Sequence, residues 1–263
     1  MYQIQTGSTP INMNHGTTTL GFLFDHGIII AVDSRASAAS YIASQTTHKV
    51  LEVCPYMLAT MAGGAADCQY WHRVLQKEVR LFEFRNRRKM SIAGASQTFS
   101  NIMFSYKGMG LSVGSMIAGW DSEPRLYYVD SDGQRTKGTL FSVGSGSTHA
   151  YGILDKEYRH DLSVAEAIEL GARAIYHATH RDSYSGGTAN VYFIDALGWH
   201  RTQYYLTDIA KFYPYDQNPP LPVELLVADE QQARKEKQQL QSLPLSSSTS
   251  SSSSSSAPPI AAH

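Results

Sequence analysis

Cysteine is nearly absent from this chain of 263 residues: only Cys54 and Cys68 occur, at neither a metal-ligand nor a redox spacing. That excludes a disulfide framework and a cysteine-based zinc site, suits a reducing compartment, and predicts two packed, inert thiols. Charge of one sign is missing too. A net charge of -1 removes any bulk attraction to nucleic acid or an anionic membrane surface. No apolar run reaches the roughly 20 residues of a membrane-spanning helix. Met1 to Gly16 holds no lysine or arginine and no apolar stretch, so it is not a secretory signal. The expectation is a soluble, intracellular protein acting on neither membrane nor nucleic acid.

Several familiar signatures are incomplete. Gly108-Met109-Gly110 lacks the full dinucleotide fingerprint and follows a helical pattern rather than a strand. His180-Arg181-Asp182 is not accompanied by a glycine-rich phosphate loop or an Asp-Phe-Gly segment. His177 and His180 lack a third candidate ligand, and no metal site is expected. Arg85-Asn86-Arg87-Arg88-Lys89 reads as a solvated helix end or a subunit contact. What is present is ample apolar content, 42% of residues, enough for a core without metals or disulfides.

From Thr17 the pattern becomes β-branched and apolar, with Asp25-His26-Gly27 as a turn between strands at Thr17 to Phe24 and Ile28 to Val32. A second pair is expected at Val50 to Val53 and Met57 to Met61, followed by Gly63-Gly64. Two helices come next. Ala66, Tyr70, Trp71, Val74, Leu75, Val79 and Phe82 recur at helical steps, with Tyr70 and Trp71 expected in the core; Ile92 to Tyr106 repeats the pattern behind Ser91 as a cap. Strands return at Ser112 to Gly119, Arg125 to Val129 and Thr139 to Val143, with Asp132-Gly133 as a turn, then a helix from Ser163 to His180 and strands at Asn190 to Asp195 and Trp199 to Leu206. Hairpins of strands with consecutive helices argue for an α+β class with two antiparallel sheets and helices on their outer faces. Residues 1–16 are expected to be a leader, 17–213 the catalytic domain, and 214–263 an extension. Ser246 to Ser256, serine apart from Thr249, cannot bury enough apolar surface to fold.

The chemistry centres on His15-Gly16-Thr17-Thr18-Thr19-Leu20. A threonine hydroxyl is a weak nucleophile until a base takes its proton. If threonine is the first residue, its own α-amine, with a reference pKa of about 7.7 to 8.0, supplies that base. Cleavage between Gly16 and Thr17 is therefore the expected processing event. Asp33 follows the second strand and Lys49 the next loop. A lysine ammonium near the threonine oxygen, held by an aspartate, would stabilise developing negative charge. The loops Gly144-Ser145-Gly146 and Arg181 to Gly187 offer hydroxyls for a hydrogen-bond network around the terminal amine.

The segments Gly16 to Phe22, Ala31 to Ser37, Met61 to Cys68 and Tyr184 to Gly187 resemble the proteasome β-type subunit family, its chymotrypsin-like catalytic branch most of all. The resemblance spans about His15 to Thr207. It implies a four-layer α-β-β-α sandwich, the amino-terminal nucleophile hydrolase fold, and a threonine protease needing no metal or organic cofactor. It also implies Thr17 as nucleophile and base, Lys49 and Asp33 as its charge partners, and Ser145, Asp182 and Ser185 as support for the amine. The backbone N–H of Gly63 is implied as oxyanion donor. Met61, Ala36 and Ala65 would line an apolar pocket for the residue before the cut, with Thr47 adding a hydroxyl and Ser37 contacting the substrate backbone. Partners would be α and β proteasome subunits in a stacked-ring barrel, with unfolded polypeptides as substrates, in cytoplasm and nucleus. Two other readings stand beside it: a non-catalytic ring subunit or a specialised variant of altered specificity, and a stand-alone amidase of the same nucleophile type.

Overall fold

The structure is a computed structural model that describes residues 16–38 and 41–205. The expected leader up to His15 and the expected extension from residue 214 lie outside the described residues. Strands β1 (Thr19–Phe24), β2 (Gly27–Val32), β11 (Leu140–Val143), β12 (Thr188–Asp195) and β13 (Gly198–Tyr205) form an antiparallel sheet in the order β11-β1-β2-β12-β13. Strands β5 (Val50–Cys54), β6 (Met57–Thr60), β8 (Val113–Trp120), β9 (Pro124–Asp130) and β10 (Arg135–Lys137) form a second in the order β10-β9-β8-β6-β5, and β7 (Ala62–Gly63) pairs with β8. A small ribbon, β3 (Ala36–Ala38) with β4 (Tyr41–Ser44), stands apart.

The period-2 geometry of a strand explains how both faces of each sheet are filled. In β2, Ile28, Ile30 and Val32 enter the core between the sheets with Leu58, Met116, Ala118 and Ile194. Ile29 and Ala31 face Gly171 of a covering helix. In β8, Ile117 points the other way from Met116 and Ala118, into a core with Trp71, Leu75, Val79, Ile92 and Phe99. Helices α1 (Ala65–Asn86) and α2 (Ile92–Ser105) cover the second sheet, and α3 (Ser147–Glu157) and α4 (Val164–Arg181) the first. The result is the expected α-β-β-α sandwich.

The ends of the helices follow local chemistry. Ser91 accepts a hydrogen bond from Gly94 N at 3.1 Å and starts α2 as expected. Ser163 and Glu166 satisfy each other's backbone donors in a capping box that starts α4. Both cysteines are buried, and burial pushes the Cys54 thiol up to about 11 and Cys68 up to about 12, which leaves them inert. Several features differ from the sequence reading. Helix α3 and the strands β3, β4 and β10 were not anticipated. Tyr70 is 61% exposed while Trp71 is buried, because neighbouring residues on a helix lie about 100° apart and only one of the two can face the sheet. Among the described residues no helix is long and apolar enough to cross a membrane.

Candidate active site

Strand register gathers the site. Thr19 pairs with both Val143 and Val32, and Val32 pairs in turn with Asn190. The start of β1, the ends of β2 and β11, and the start of β12 therefore lie at the same end of one sheet. Thr17 precedes β1, Asp33 follows β2, Ser145 follows β11 and Ser185 precedes β12, so these side chains meet by topology. Lys49 arrives from the other sheet, just ahead of β5, with its carbonyl accepting from Met61 N at 2.8 Å.

The side chains form one connected network. Lys49 Nζ lies 2.5 Å from Asp33 Oδ1, and both are buried. The Asp33 carboxylate also accepts from Thr18 N at 3.0 Å, Gly186 N at 2.9 Å and Arg35 N at 3.2 Å. Four donors thus hold a carboxylate that would be costly to bury alone. Burial pulls the Lys49 pKa below the ordinary lysine value, and the Asp33 carboxylate opposes that fall. Thr17 N donates to Ser145 Oγ at 3.1 Å, and Ser145 Oγ donates in turn to Asp182 Oδ2 at 2.6 Å. Ser185 Oγ donates to the same Asp182 oxygen at 2.6 Å. Its single proton committed there, Ser185 must accept from Thr18 Oγ1, 2.7 Å away. Ser145 sits at the exposed rim, whereas Asp182 and Ser185 are buried.

The junction before Thr17 is sterically narrow. Gly16 is buried, its N–H donates to Ser37 Oγ at 3.3 Å, and a Cβ there would run into the side chain of Tyr184. Only glycine fits. The remaining expected residues are placed as follows. Ala36 and Ser37 lie on β3, and Thr47 is half-buried with its N–H on Ser34 O at 2.9 Å. Met61 is buried beside Cys68 and Val113, and Ala65 is the exposed first residue of α1. Gly63 has φ +103, and a Cβ would lie 2.5 Å from Ser112 O, so the turn requires glycine on two counts. Helix α1 begins two residues later and directs the positive end of its dipole to this turn.

Three residues that the sequence reading did not assign belong to the site. Thr18 bonds Ser185 from the opposite face of the strand to its neighbours, which the alternation of Thr17, Thr18 and Thr19 could have indicated. Ser34 Oγ donates to Gln45 O at 2.5 Å and accepts from Thr188 N at 2.7 Å. Arg35 donates to Ser183 O at 3.0 Å, tying down the loop that carries Asp182 and Ser185; no local pattern marks it. Among the described residues no group of three or more His, Cys, Asp or Glu side chains is placed to hold a metal ion.

Comparison with known proteins identifies the family. The sequence profile of the proteasome subunit matches residues 13–194. Proteasome subunit beta type-8 of Rattus norvegicus is 58% identical over 196 residues, 74% of this chain and 71% of that protein. Proteasome subunit beta type-5 of Spinacia oleracea is 60% identical over 185 residues, 70% of this chain and 68% of that protein. The probable proteasome subunit beta type-5 of Schizosaccharomyces pombe is 60% identical over 190 residues, covering 72% and 70% respectively. The fold, the shared end of the sheet where Thr17 meets Ser145 and Thr18 meets Asp33, and these likenesses agree: the chain belongs to the proteasome subunit family.

Proposed function

We propose that this chain, a threonine protease subunit of the proteasome core, works through Thr17 once the bond to Gly16 has been cut. The observation that supports the residue assignment is the hydrogen-bond network that links the Thr17 nitrogen through Ser145 at the rim to the buried Asp182, Ser185, Thr18, Asp33 and Lys49.

The chemistry then follows from the groups in place. Before cleavage the Thr17 nitrogen is an amide and is no base. Attack of its hydroxyl on the Gly16 carbonyl moves the acyl group from nitrogen to oxygen, which frees the amine, and water then hydrolyses the ester to restore the hydroxyl and release the leader as a carboxylate. In the mature subunit that amine takes the hydroxyl proton as the oxygen attacks a substrate carbonyl. The Lys49 ammonium, kept charged by Asp33, stabilises the developing alkoxide, and the Gly63 N–H donates to the carbonyl oxygen. Collapse of the tetrahedral intermediate passes the amine's proton to the leaving nitrogen. Water, deprotonated by the same amine, releases the acyl group. Ser145 and Asp182 hold the amine through this cycle.

Met61, Ala36 and Ala65 supply an apolar pocket, so cleavage after leucine, phenylalanine or tyrosine is the proposed preference; a charged side chain there would lie unpaired. The subunit assembles with other proteasome subunits in the core particle. A stacked-ring barrel of α and β subunits, unfolded polypeptide substrates and a place in cytoplasm and nucleus complete the proposal. Replacing Thr17 by alanine tests it: assembled complexes carrying that change should lose cleavage of apolar peptides at this subunit by more than about 10³-fold. Undiminished cleavage of apolar peptides by the whole complex would place that activity elsewhere, sink the assignment and favour the non-catalytic reading.

A further inference from the structure

A second buried polar cluster lies directly behind the Gly63 turn, and the chemistry above does not use it. His72, on α1, is fully buried and stacks on Phe99 with ring centroids 5.2 Å apart and planes 18° from parallel. Its Nδ1 is 2.6 Å from Cys68 O and its Nε2 is 2.8 Å from Ser115 Oγ. A carbonyl oxygen can only accept, so Nδ1 carries the hydrogen. Nε2 then has a lone pair, and the Ser115 hydroxyl donates to it. Burial pushes the imidazole down to about 4, so this neutral tautomer persists near neutral pH.

These bonds close a ring around the turn. Cys68 Sγ donates to Ala62 O at 3.4 Å, and Cys68 O receives His72. His72 receives Ser115 on β8, and β8 returns to the turn through the pairs Gly114 with Ala62 and Val113 with Gly63. Two further bonds run parallel: Gly64 N to Ser112 O at 2.8 Å, and Ser112 N to Asp67 Oδ2 at 3.2 Å. The segment Ala62-Gly63-Gly64 is thereby gripped between the first turn of α1 and the start of β8. Asp67 spans the two walls at the surface, and His72 spans them in the buried interior. A leucine could fill the space against Phe99 but could not fix the separation of Cys68 from Ser115.

We infer that His72 is a positioning residue for the oxyanion turn, setting the distance between α1 and β8 and so the placement of the Gly63 N–H. This rests on the reading of Gly63 as the donor to the developing oxyanion. An apolar replacement lets the walls shift by a fraction of an ångström, which weakens binding of the transition state and leaves binding of the uncleaved peptide alone.

The test uses intact complexes carrying His72→Leu, His72→Gln or Ser115→Ala beside the parent. A peptide aldehyde adds reversibly to Thr17: the Oγ–C bond forms, and the hydroxyl proton ends on the aldehyde oxygen, which sits where the oxyanion would. The same peptide ending in an unreactive primary amide reports ground-state binding. Expected for His72→Leu is about a ten-fold loss of aldehyde affinity and of kcat, with KM and amide binding unchanged. His72→Gln, whose amide can still bond one wall, should lie between, and Ser115→Ala should reproduce much of the loss. Equal aldehyde affinity in parent and variants, counted per assembled subunit, overturns the proposal. If the parent itself forms no adduct at Thr17, the assignment of nucleophile falls, and the role of His72 falls with it.

Discussion

The two buried polar clusters of this fold are built on opposite plans. Around Asp33 and Lys49 the cluster keeps full charges, and backbone N–H groups from loops supply most of the carboxylate's donors. Around His72 the cluster is neutral and every bond spans two secondary-structure elements or a helical turn. A buried charge costs several kcal/mol even when paired, and the chemistry proposed at Thr17 gives a reason to keep one there. A neutral cluster is enough where only a distance must be held.

The strongest way to break this contrast is to remove one charge. Lys49→Ala leaves Asp33 buried and uncompensated, and Asp33→Ala does the same to Lys49. Each should lower stability by about 3 to 5 kcal/mol and peptide cleavage by roughly 10²-fold or more. The double variant Asp33→Ala/Lys49→Ala should recover stability but not cleavage. Thermal melting and peptidase assays on assembled complexes check both halves; a double variant that regains activity would show the pair to be structural.

A weaker perturbation acts within the charged cluster alone. Asp182→Asn keeps the shape but removes the charge that receives Ser145 and Ser185. The expected loss is about ten- to a hundred-fold in kcat, with a changed pH profile because the amine loses its nearby anion. An unchanged profile would detach Asp182 from the amine.

The smallest effect sharpens the neutral side. The His72 pKa is depressed from 6.5 to about 4, so the unfolded chain binds the proton more readily. The stabilising contribution is full above about pH 6.5, falls as pH drops, and is gone below about pH 4. That amounts to roughly 2 kcal/mol lost by pH 5 and about 3 in all. Melting temperatures between about pH 7 and about pH 5 should therefore fall less for His72→Leu than for the parent; parallel curves would mean the folded imidazole is not neutral.

Much of this was legible in the sequence, for physical reasons that differ by element. Strongly periodic helices such as α4, opened by its Ser163 capping box, and the strands that follow turn residues declare themselves locally. The candidate site could be read because its residues sit at strand ends next to glycine-rich turns, and the four matching segments named the family. Helix α3 was not legible. It buries only Ala150 and Leu154, one helical pair, and carries Gly152 mid-way, so its pattern is too weak to read. The ribbon β3–β4 is short and mostly exposed in β4. His72 carries no signal in the sequence, because its partners Ser115 and Phe99 are distant along the chain and only packing joins them. Arg35 was hidden in the same way by its bond to Ser183.

The central claim is that Thr17 carries a free amine, and the direct measurement is the intact mass and amino-terminal sequence of this chain from native complexes. A chain beginning at Thr17 is the predicted result. A chain in which the Gly16–Thr17 bond is still intact would leave the hydroxyl without its base and contradict the account.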